Sequence, residues 1–371
     1  MSKVPCSSAN LGPGFDVIGL ALSLYLKVHV TITPNTPSPH PLNCKVTYSG
    51  VGADSIDLDA RNNLITRTAL YLLKCHDISA FPASTHVYID NPIPLGRGLG
   101  SSGAAVVAGV LLGNLFLPHP YEKARLLDYC LMVERHPDNV AAALYGGFVG
   151  TYLNELDPKD MVRIEVPLSE TLGGPAGSID TGLKPPIPPE NIGHFHRFRW
   201  NPEIKAVAII PDFEVSTAKA REVLPKSYSR SDMVVFPSPK TVMFKRYLTD
   251  YLKIFNLQRL ALLTTVLGDS PPDPSLIYSA MQDKIHQPYR KDLIPGLTTI
   301  LRSITPTTHK GLLGICLSGA GPTILALATE NFGAIARAAI TQFAAHDIAC
   351  EWRVLTPAED GATVTEVADE Y

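Results

Sequence analysis

The sequence predicts an α+β protein of two lobes, with residues 1–190 in the first lobe and residues 191–371 in the second. A chain of 371 residues is too long for one ordinary hydrophobic core, so two packed units are expected. Helix-like and strand-like segments alternate irregularly and include hairpins, which fits an α+β arrangement better than one continuous parallel sheet. Between the halves, Leu172–Pro189 is dense in Gly and Pro, as is typical of an exposed loop or a boundary.

Hydrophobic periodicity predicts the individual elements. In Val17–Thr33 apolar and polar residues alternate, which predicts a half-buried strand, and the four prolines of Thr33–Pro41 end it. Ala104–Phe116 is predicted to be a buried helix with Ser101 and Ser102 as its N-cap residues. The other predicted helices are Leu64–Cys75, Tyr121–Val133, Val140–Leu144, Ser216–Val223, Tyr247–Thr265 and Phe332–Phe343. The other predicted strands are Thr85–Asp90, Phe148–Tyr152, Lys205–Ile210, Gly314–Leu317 and Ile348–Val354.

The composition is that of a well-buried globular chain. Hydrophobic residues make up 45% and charged residues 18%, and the formal net charge is -3. The basic residues are scattered, so we expect neither nucleic acid nor an anionic membrane surface as a partner.

The cysteines and the N-terminus favour a cytoplasmic protein. Six cysteines lie far apart and form no CxxC pair, so we expect reduced thiols. The first twenty residues have no charged leader followed by an apolar block, so we expect neither secretion nor organelle import. No apolar stretch is long enough to span a bilayer.

The clearest chemical signal is the glycine-rich segment Asn91–Gly103, which reads NPIPLGRGLGSSG. Its glycines allow the backbone to approach a phosphate closely, and the helix that follows offers unpaired N–H groups and the positive end of its dipole. No Lys follows the last glycine, so the segment is neither a Walker P-loop nor a Rossmann turn. From these residues alone two interpretations stay open, namely a phosphate-binding loop and a glycine-rich turn with no ligand.

Several separated segments resemble the GHMP kinase superfamily, which includes kinases of galactose, homoserine and mevalonate. These are Val4–Leu22 (VPCSSANLGPGFDVIGLAL), Pro94–Ala105 (PLGRGLGSSGAA) and Leu317–Leu325 (LSGAGPTIL). Three segments resemble sequences of the branch that acts on homoserine, and of its fungal members. They are Ser7–Asp16, His136–Gly147 and Val215–Pro225. The resemblance implies a nucleotide-binding N-terminal lobe of the ribosomal-protein-S5 type and a ferredoxin-like C-terminal lobe.

The resemblance also implies a reaction, which is transfer of the γ-phosphoryl group of MgATP to the side-chain hydroxyl of L-homoserine, a step of threonine biosynthesis. It implies ATP and Mg²⁺ as cofactors. By the same resemblance the residues that bind ATP are Asn63, Pro94, Leu95, Gly96, Arg97, Gly98, Leu99, Gly100, Ser101, Ser102, Gly103, Ala104, Gly319 and Gly321. Ser102 and Glu134 are the implied metal ligands, since Mg²⁺ prefers oxygen donors. Only one residue separates Glu134 from His136, whereas many members have a longer stretch with a Ser-Gly pair there.

The homoserine site implied by the resemblance consists of Asn10, Asp16, His136, Arg221 and Arg290. An arginine suits a carboxylate, Asp16 suits an ammonium group, and Asn10 and His136 suit a hydroxyl. The implied catalytic residues are His136, Asp138 and Asn139. Asn139 stands where mevalonate-kinase-like relatives have an Asp base, and an amide cannot accept the proton. We therefore expect no dedicated general base.

Other interpretations stay open. Asp16 could cap a turn, Arg221 could be a solvated surface residue, His136 could be structural, and Gly319–Gly321 could be a plain turn. The acceptor could be mevalonate or another small alcohol, or the chain could be a non-catalytic nucleotide-binding regulator. For soluble enzymes of this size a homodimer is the usual oligomeric state.

Overall fold

The structure of the protein, a computed structural model, describes residues 1–82, 84–155, 184–225 and 251–366. Its strands are β1 Ser2–Asn10, β2 Gly14–Ile32, β3 Cys44–Gly50, β4 Thr85–Asn91, β5 Phe148–Leu153, β6 Gly193–Phe198, β7 Lys205–Pro211, β8 Leu312–Leu317, β9 Ile324–Ala328, β10 Cys350–Leu355 and β11 Thr363–Val364. Its α-helices are α1 Leu64–Cys75, α2 Ser101–Asn114, α3 Lys123–Val133, α4 Pro137–Tyr145, α5 Thr217–Glu222, α6 Tyr251–Val266, α7 Pro274–Ala280, α8 Leu297–Ser303 and α9 Phe332–Ala344. Short 3₁₀ turns lie at Pro41–Asn43 and Gln287–Tyr289.

The first sheet is organised by the long strand β2. It pairs with β1 along one side, while β4 and β5 pair with different parts of its other side. β3 pairs with β4 in parallel, and the remaining pairs of this sheet are antiparallel. The alternation in β2 has its expected consequence, because Leu24, Leu26 and Val28 are buried while Lys27 and His29 are not.

The second sheet has four antiparallel strands in the order β10-β7-β9-β8. Its core includes Val207 and Ile324 from the strands, Ile300 from α8 and Phe343 from α9. A larger core joins the first sheet to α1, α2 and α4 and also includes residues of the second sheet, such as Ala208 and Leu325. Two sheets with helices of their own confirm the predicted α+β class.

The C-terminal segment returns to the first sheet, where β11 pairs with the start of β1 through Val364 and Thr363. The proposed boundary between residues 190 and 191 stays a prediction. Directly after it, β6 pairs with β5 and so belongs to the first sheet. Most of the Gly- and Pro-rich segment Leu172–Pro189 and the start of the predicted helix Tyr247–Thr265 lie outside the described residues.

One local expectation is wrong. Ser101 and Ser102 do not cap α2; they are its first two residues, and the N-cap is Gly100, with φ 67°. A Cβ atom at position 100 would lie 2.1 Å from the hydroxyl oxygen of Ser7, so only glycine fits there.

Among the described residues, no helix is both long enough and apolar enough to cross a membrane.

Candidate active site

A cleft of about 250 Å³ lies where the two sheets meet. Its walls come from the β1–β2 connection, the glycine-rich loop, the start of α2, the residues around the start of α4, the start of α5, and the Gly319–Gly321 turn. These segments are far apart in the sequence, so only the folded chain brings them together.

The glycine-rich loop has a backbone that needs its glycines. Gly96, Gly98 and Gly100 all have positive φ. A Cβ atom on Gly98 would lie 2.4 Å from the carbonyl oxygen of Ser318. The loop is therefore pressed against the second lobe at a point where no side chain fits.

Contacts from the second lobe help to hold this loop in shape. The amide of Val215 donates to Gly96 O at 3.0 Å, and the amide of Thr323 donates to Arg97 O at 3.2 Å. The Arg97 guanidinium pairs with Asp212 at 2.7 Å. Movement of one lobe would therefore change the loop.

The start of α2 is an anion-binding arrangement. No side chain caps this helix, so the N–H groups of its first turn lack the partner that a capping residue would give. Ser101 and Ser102, the first two residues of the helix, line the cleft. A phosphate group is the kind of ligand that such a helix start favours.

Ser102 and Glu134 lie side by side, as two ligands of one cation must. The Ser102 hydroxyl donates to Oε2 of Glu134 at 2.9 Å. The other carboxylate oxygen contacts Nδ1 of His136, and this hydrogen bond raises the pKa of His136 although burial opposes it. The described residues contain no cluster of three or more His, Cys, Asp or Glu side chains that could hold a metal.

Asp138 is a buried acid in the first turn of α4. Burial, followed by the nearby charge of Asp16, raises its pKa to about 7. Its carboxylate accepts from the amide of Asn139 at 2.9 Å. Asn139 in turn accepts from the Ser7 hydroxyl at 2.9 Å, which ties the start of α4 to β1.

The predicted substrate residues of the N-terminal motif are held by an unusual turn. Asn10 and Asp16 both have positive φ, and Asn10 Oδ1 accepts from the amide of Asp16 at 3.0 Å. Across the cleft, Nη2 of Arg221 donates to both carboxylate oxygens of Asp16, at 2.7 and 2.9 Å. An acid and a base thus face each other at the mouth of the cleft.

Arg290 is almost fully buried, at 2% exposed, yet it lines the cleft. Its Nε donates to Ala220 O at 3.2 Å and its Nη1 donates to Gly319 O at 2.8 Å. Asn10 Nδ2 donates to the same carbonyl at 3.1 Å. A buried arginine that reaches a cleft is suited to bind an anion there.

The cleft therefore brings together every predicted substrate and catalytic residue and both predicted metal ligands. Part of the predicted nucleotide set lies elsewhere. Asn63 is the N-cap of α1 and accepts from the amide of Ile65 at 3.1 Å. Leu99 and Ala104 are buried in the core, and Pro94, Leu95 and Gly103 do not line the cleft.

Three further residues contribute to the site and were not singled out from the sequence. Ser7 and Phe15 belong to the N-terminal motif, which could have pointed to them. His286 is hydrogen-bonded to Arg290. The only feature of the sequence that could have pointed to His286 is its position four residues before Arg290.

Comparison with known proteins gives two family matches. The N-terminal domain of the GHMP kinases matches residues 63–147, and the GHMP kinase C-terminal domain matches residues 272–346.

Individual relatives match over nearly the whole chain. The homoserine kinase of Saccharomyces cerevisiae is 55% identical over 369 residues, covering 98% of each chain. That of Candida albicans is 49% identical, covering 98% of this chain and 97% of the relative. The crystal structure of homoserine kinase from Cytophaga hutchinsonii is similar with a TM-score of 0.68 and 26% identity, over 98% of this chain and 96% of that one.

Proposed function

The chain belongs to the GHMP kinase family, among its homoserine kinases, and we propose that it transfers the γ-phosphoryl group of ATP to the side-chain hydroxyl of L-homoserine. The products are ADP and O-phospho-L-homoserine. One observation carries this proposal: a single cleft joins an anion-binding loop to charged groups that match an α-amino acid. Phosphoryl transfer depends mainly on such positioning and on neutralisation of charge.

The glycine-rich loop and the start of α2 hold the phosphates of ATP. Backbone N–H groups at Gly98–Ser102 and the helix dipole supply the attraction, and no lysine is needed within the loop. Arg97 lines the cleft beside them and adds positive charge.

Ser102 and Glu134 fit a magnesium ion. Their oxygens are 2.9 Å apart, and a hydroxyl with one carboxylate is the small protein donor set that Mg²⁺ takes when phosphates and water complete its shell. When bound, the ion neutralises charge on the transferring phosphate.

The zwitterion of homoserine is matched by opposite charges on the two sides of the cleft. Arg290 and Arg221 bind the carboxylate, and Asp16 binds the ammonium group. Asn10 and His136 orient the hydroxyl. When homoserine binds, its ammonium group pairs with Asp16 and its carboxylate pairs with Arg221. These new ion pairs offset the cost of separating Asp16 from Arg221.

The hydroxyl proton leaves to a phosphate oxygen or to water. Asn139 cannot accept it, and its amide oxygen is occupied by Ser7. Asp138→Asn is therefore expected to lower kcat by less than about tenfold, whereas loss of a general base costs about 10²- to 10⁴-fold. A fall of several orders of magnitude in kcat with an unchanged KM for homoserine would show that Asp138 is the base.

ADP release coupled to NADH oxidation tests the proposed function, with homoserine, mevalonate and galactose each supplied separately and a mixture without alcohol as background. We expect release above background with homoserine alone. Release with mevalonate would identify another small-alcohol kinase. Background release with all three would indicate a non-catalytic nucleotide-binding regulator, which the intact loop and metal ligands argue against.

A role in threonine biosynthesis, a cytoplasmic location and a homodimeric state remain part of the proposal. So does the absence of nucleic acid and membrane partners.

A further inference from the structure

His286 is a fully buried histidine behind the wall of the cleft, with both ring nitrogens engaged. Nε2 lies 2.8 Å from Gly12 O, and Nδ1 lies 3.0 Å from Nη1 of Arg290. It thus connects the turn of the N-terminal motif to the arginine at the cleft.

These two partners decide the protonation state of the imidazole. A carbonyl oxygen only accepts, so Nε2 carries a proton and donates it to Gly12. A guanidinium only donates, so Nδ1 offers its lone pair to Arg290. The ring is therefore the neutral Nε2–H tautomer. Burial acts in the same direction and lowers the pKa of His286, although the buried carboxylate of Asp283, 3.6 Å from Nε2, opposes it.

Arg290 donates to two backbone carbonyls, Ala220 O from Nε and Gly319 O from Nη1, and to the side chain of His286 from Nη1. His286 Nδ1 and Gly319 O together occupy the two hydrogens of Nη1. Together with the bond from Nε to Ala220 O, these contacts fix the plane of the guanidinium, and His286 supplies the side-chain acceptor among them.

The Phe15 ring completes the arrangement. It stacks on His286 with ring centroids 5.3 Å apart, and the guanidinium carbon of Arg290 lies 5.6 Å from its centroid. Phe15 also lines the cleft. The imidazole is thus confined on one face by an aromatic ring and at both ends by hydrogen bonds.

We propose that His286 is a positioning residue for substrate recognition. It orients Arg290 toward the carboxylate of the alcohol substrate and ties Arg290 to the Gly12 turn. The proposal rests on the proposed function. It predicts that His286 governs how strongly the enzyme prefers an alcohol substrate with a carboxylate over the same alcohol without one.

The test compares homoserine with 3-aminopropan-1-ol, which is the same molecule without its carboxylate, by kcat/KM. In His286→Asn the amide oxygen is bonded to Cγ, as imidazole Nδ1 is, so a hydrogen-bond acceptor for Arg290 is kept. In His286→Gln the amide nitrogen can replace Nε2 as the donor to Gly12, but the acceptor at Nδ1 is lost. We expect the Gln variant to lose about tenfold or more of the wild-type selectivity for homoserine, through KM for homoserine, with KM for ATP unchanged. The Asn variant should keep most of the selectivity.

His76→Gln is the matched control, because His76 also bonds through Nε2, to the Tyr129 hydroxyl at 3.0 Å, and does not line the cleft. It should leave the selectivity unchanged. If His286 acts through Arg290, His286→Gln should cause no further loss of selectivity when Arg290→Lys is already present.

Equal losses in the Asn and Gln variants, additive losses in the double variant, or losses confined to kcat would overturn the proposal. Should neither variant fold, the ¹⁵N shifts of histidine-labelled wild type decide it: a neutral Nε2–H ring supports it, and an Nδ1–H or cationic ring contradicts it. A wild type that phosphorylates neither alcohol contradicts the proposed function, and the ¹⁵N measurement then decides the orientation of His286 by itself.

Discussion

At the scale of single residues, the site contains an ionisable group that is buried although burial disfavours its charged form. Asp138 is 1% exposed and its neighbour across the cleft, Asp16, carries the same sign of charge. Burial of an ionised acid is unfavourable, so Asp138 lowers stability while it accepts hydrogen bonds from the backbone N–H and the side-chain amide of Asn139. We therefore expect Asp138 to serve the site and not the stability of the fold.

Asp138→Asn is therefore expected to stabilise the protein at high pH. The pKa of Asp138 rises from 3.8 to about 7 on folding, so the folded state holds the proton more tightly and its relative stability falls as pH rises from about 4 to about 7. The amide keeps the acceptor for Asn139 and removes the charge. A shift of about three pKa units corresponds to a gain of up to about 4 kcal/mol at pH 8 that disappears near pH 4.

Urea unfolding of the wild type and of Asp138→Asn at both pH values measures this gain. Asp54→Asn, at an exposed carboxylate, serves as the control and should change little. A variant that is less stable than the wild type by the same amount at both pH values would show that Asp138 stabilises the fold.

At the scale of elements, two short segments are held by more distant ones. The start of α2 depends on Gly100, which packs against Ser7 of β1 and Asn139 of α4. The segment before β6 depends on α3: Asp128 accepts from the amide of Ile192 at 2.8 Å and from Arg125 at 2.7 Å. Each is a place where one substitution should disturb one element.

Gly100→Ala is expected to damage the nucleotide site. The new Cβ would lie 2.1 Å from the Ser7 hydroxyl oxygen at a positive φ, which costs about 1–3 kcal/mol of strain or moves the loop. KM for ATP should rise more than KM for homoserine. Gly333→Ala in α9 is the control, since the nearest atom there is the end of a flexible Arg337 side chain at 3.2 Å. An unchanged KM for ATP in Gly100→Ala would contradict the assigned role of the loop.

Asp128→Ala is expected to destabilise the protein by about 3–5 kcal/mol, because it removes from a buried place the carboxylate that pairs with Arg125 and accepts from the backbone amides of Asn191 and Ile192. Thermal unfolding measures the loss. The control is Lys184→Ala, which breaks the exposed pair of Lys184 with Asp77 and should cost no more than about 1 kcal/mol. Equal effects of the two variants would show that the buried pair adds nothing beyond surface charge.

The elements also show what the sequence could predict. The bounds of α1 follow from its apolar spacing and agree with the structure at Leu64 and Cys75. The strand β3 was not predicted, because its parallel pairing with β4 joins Cys44 to Thr85 and no local pattern records such a partner. The capping serines were wrongly assigned for the same reason, since the φ of Gly100 is imposed by residues distant in the chain.

At the scale of the whole molecule, the site exists only where the two lobes meet. The amide of Gly319 donates to Ala9 O at 3.1 Å, and the Ser318 hydroxyl lies 2.8 Å from that of Ser8. The residues of the motifs could be predicted because the amino-acid sequences of these motifs are specific to the family. The contacts that position them, such as that of His286 Nε2 with Gly12 O, depend on the packing of the two lobes and could not be predicted.

The most direct test of the account is a competition in one vessel. ATP, Mg²⁺ and equal concentrations of homoserine, mevalonate and galactose are incubated with the protein, and ³¹P NMR identifies the phosphorylated products. The account predicts ADP and O-phospho-L-homoserine as the only new phosphorus signals. Phosphomevalonate or galactose phosphate as the main product, or ATP left intact, would contradict it.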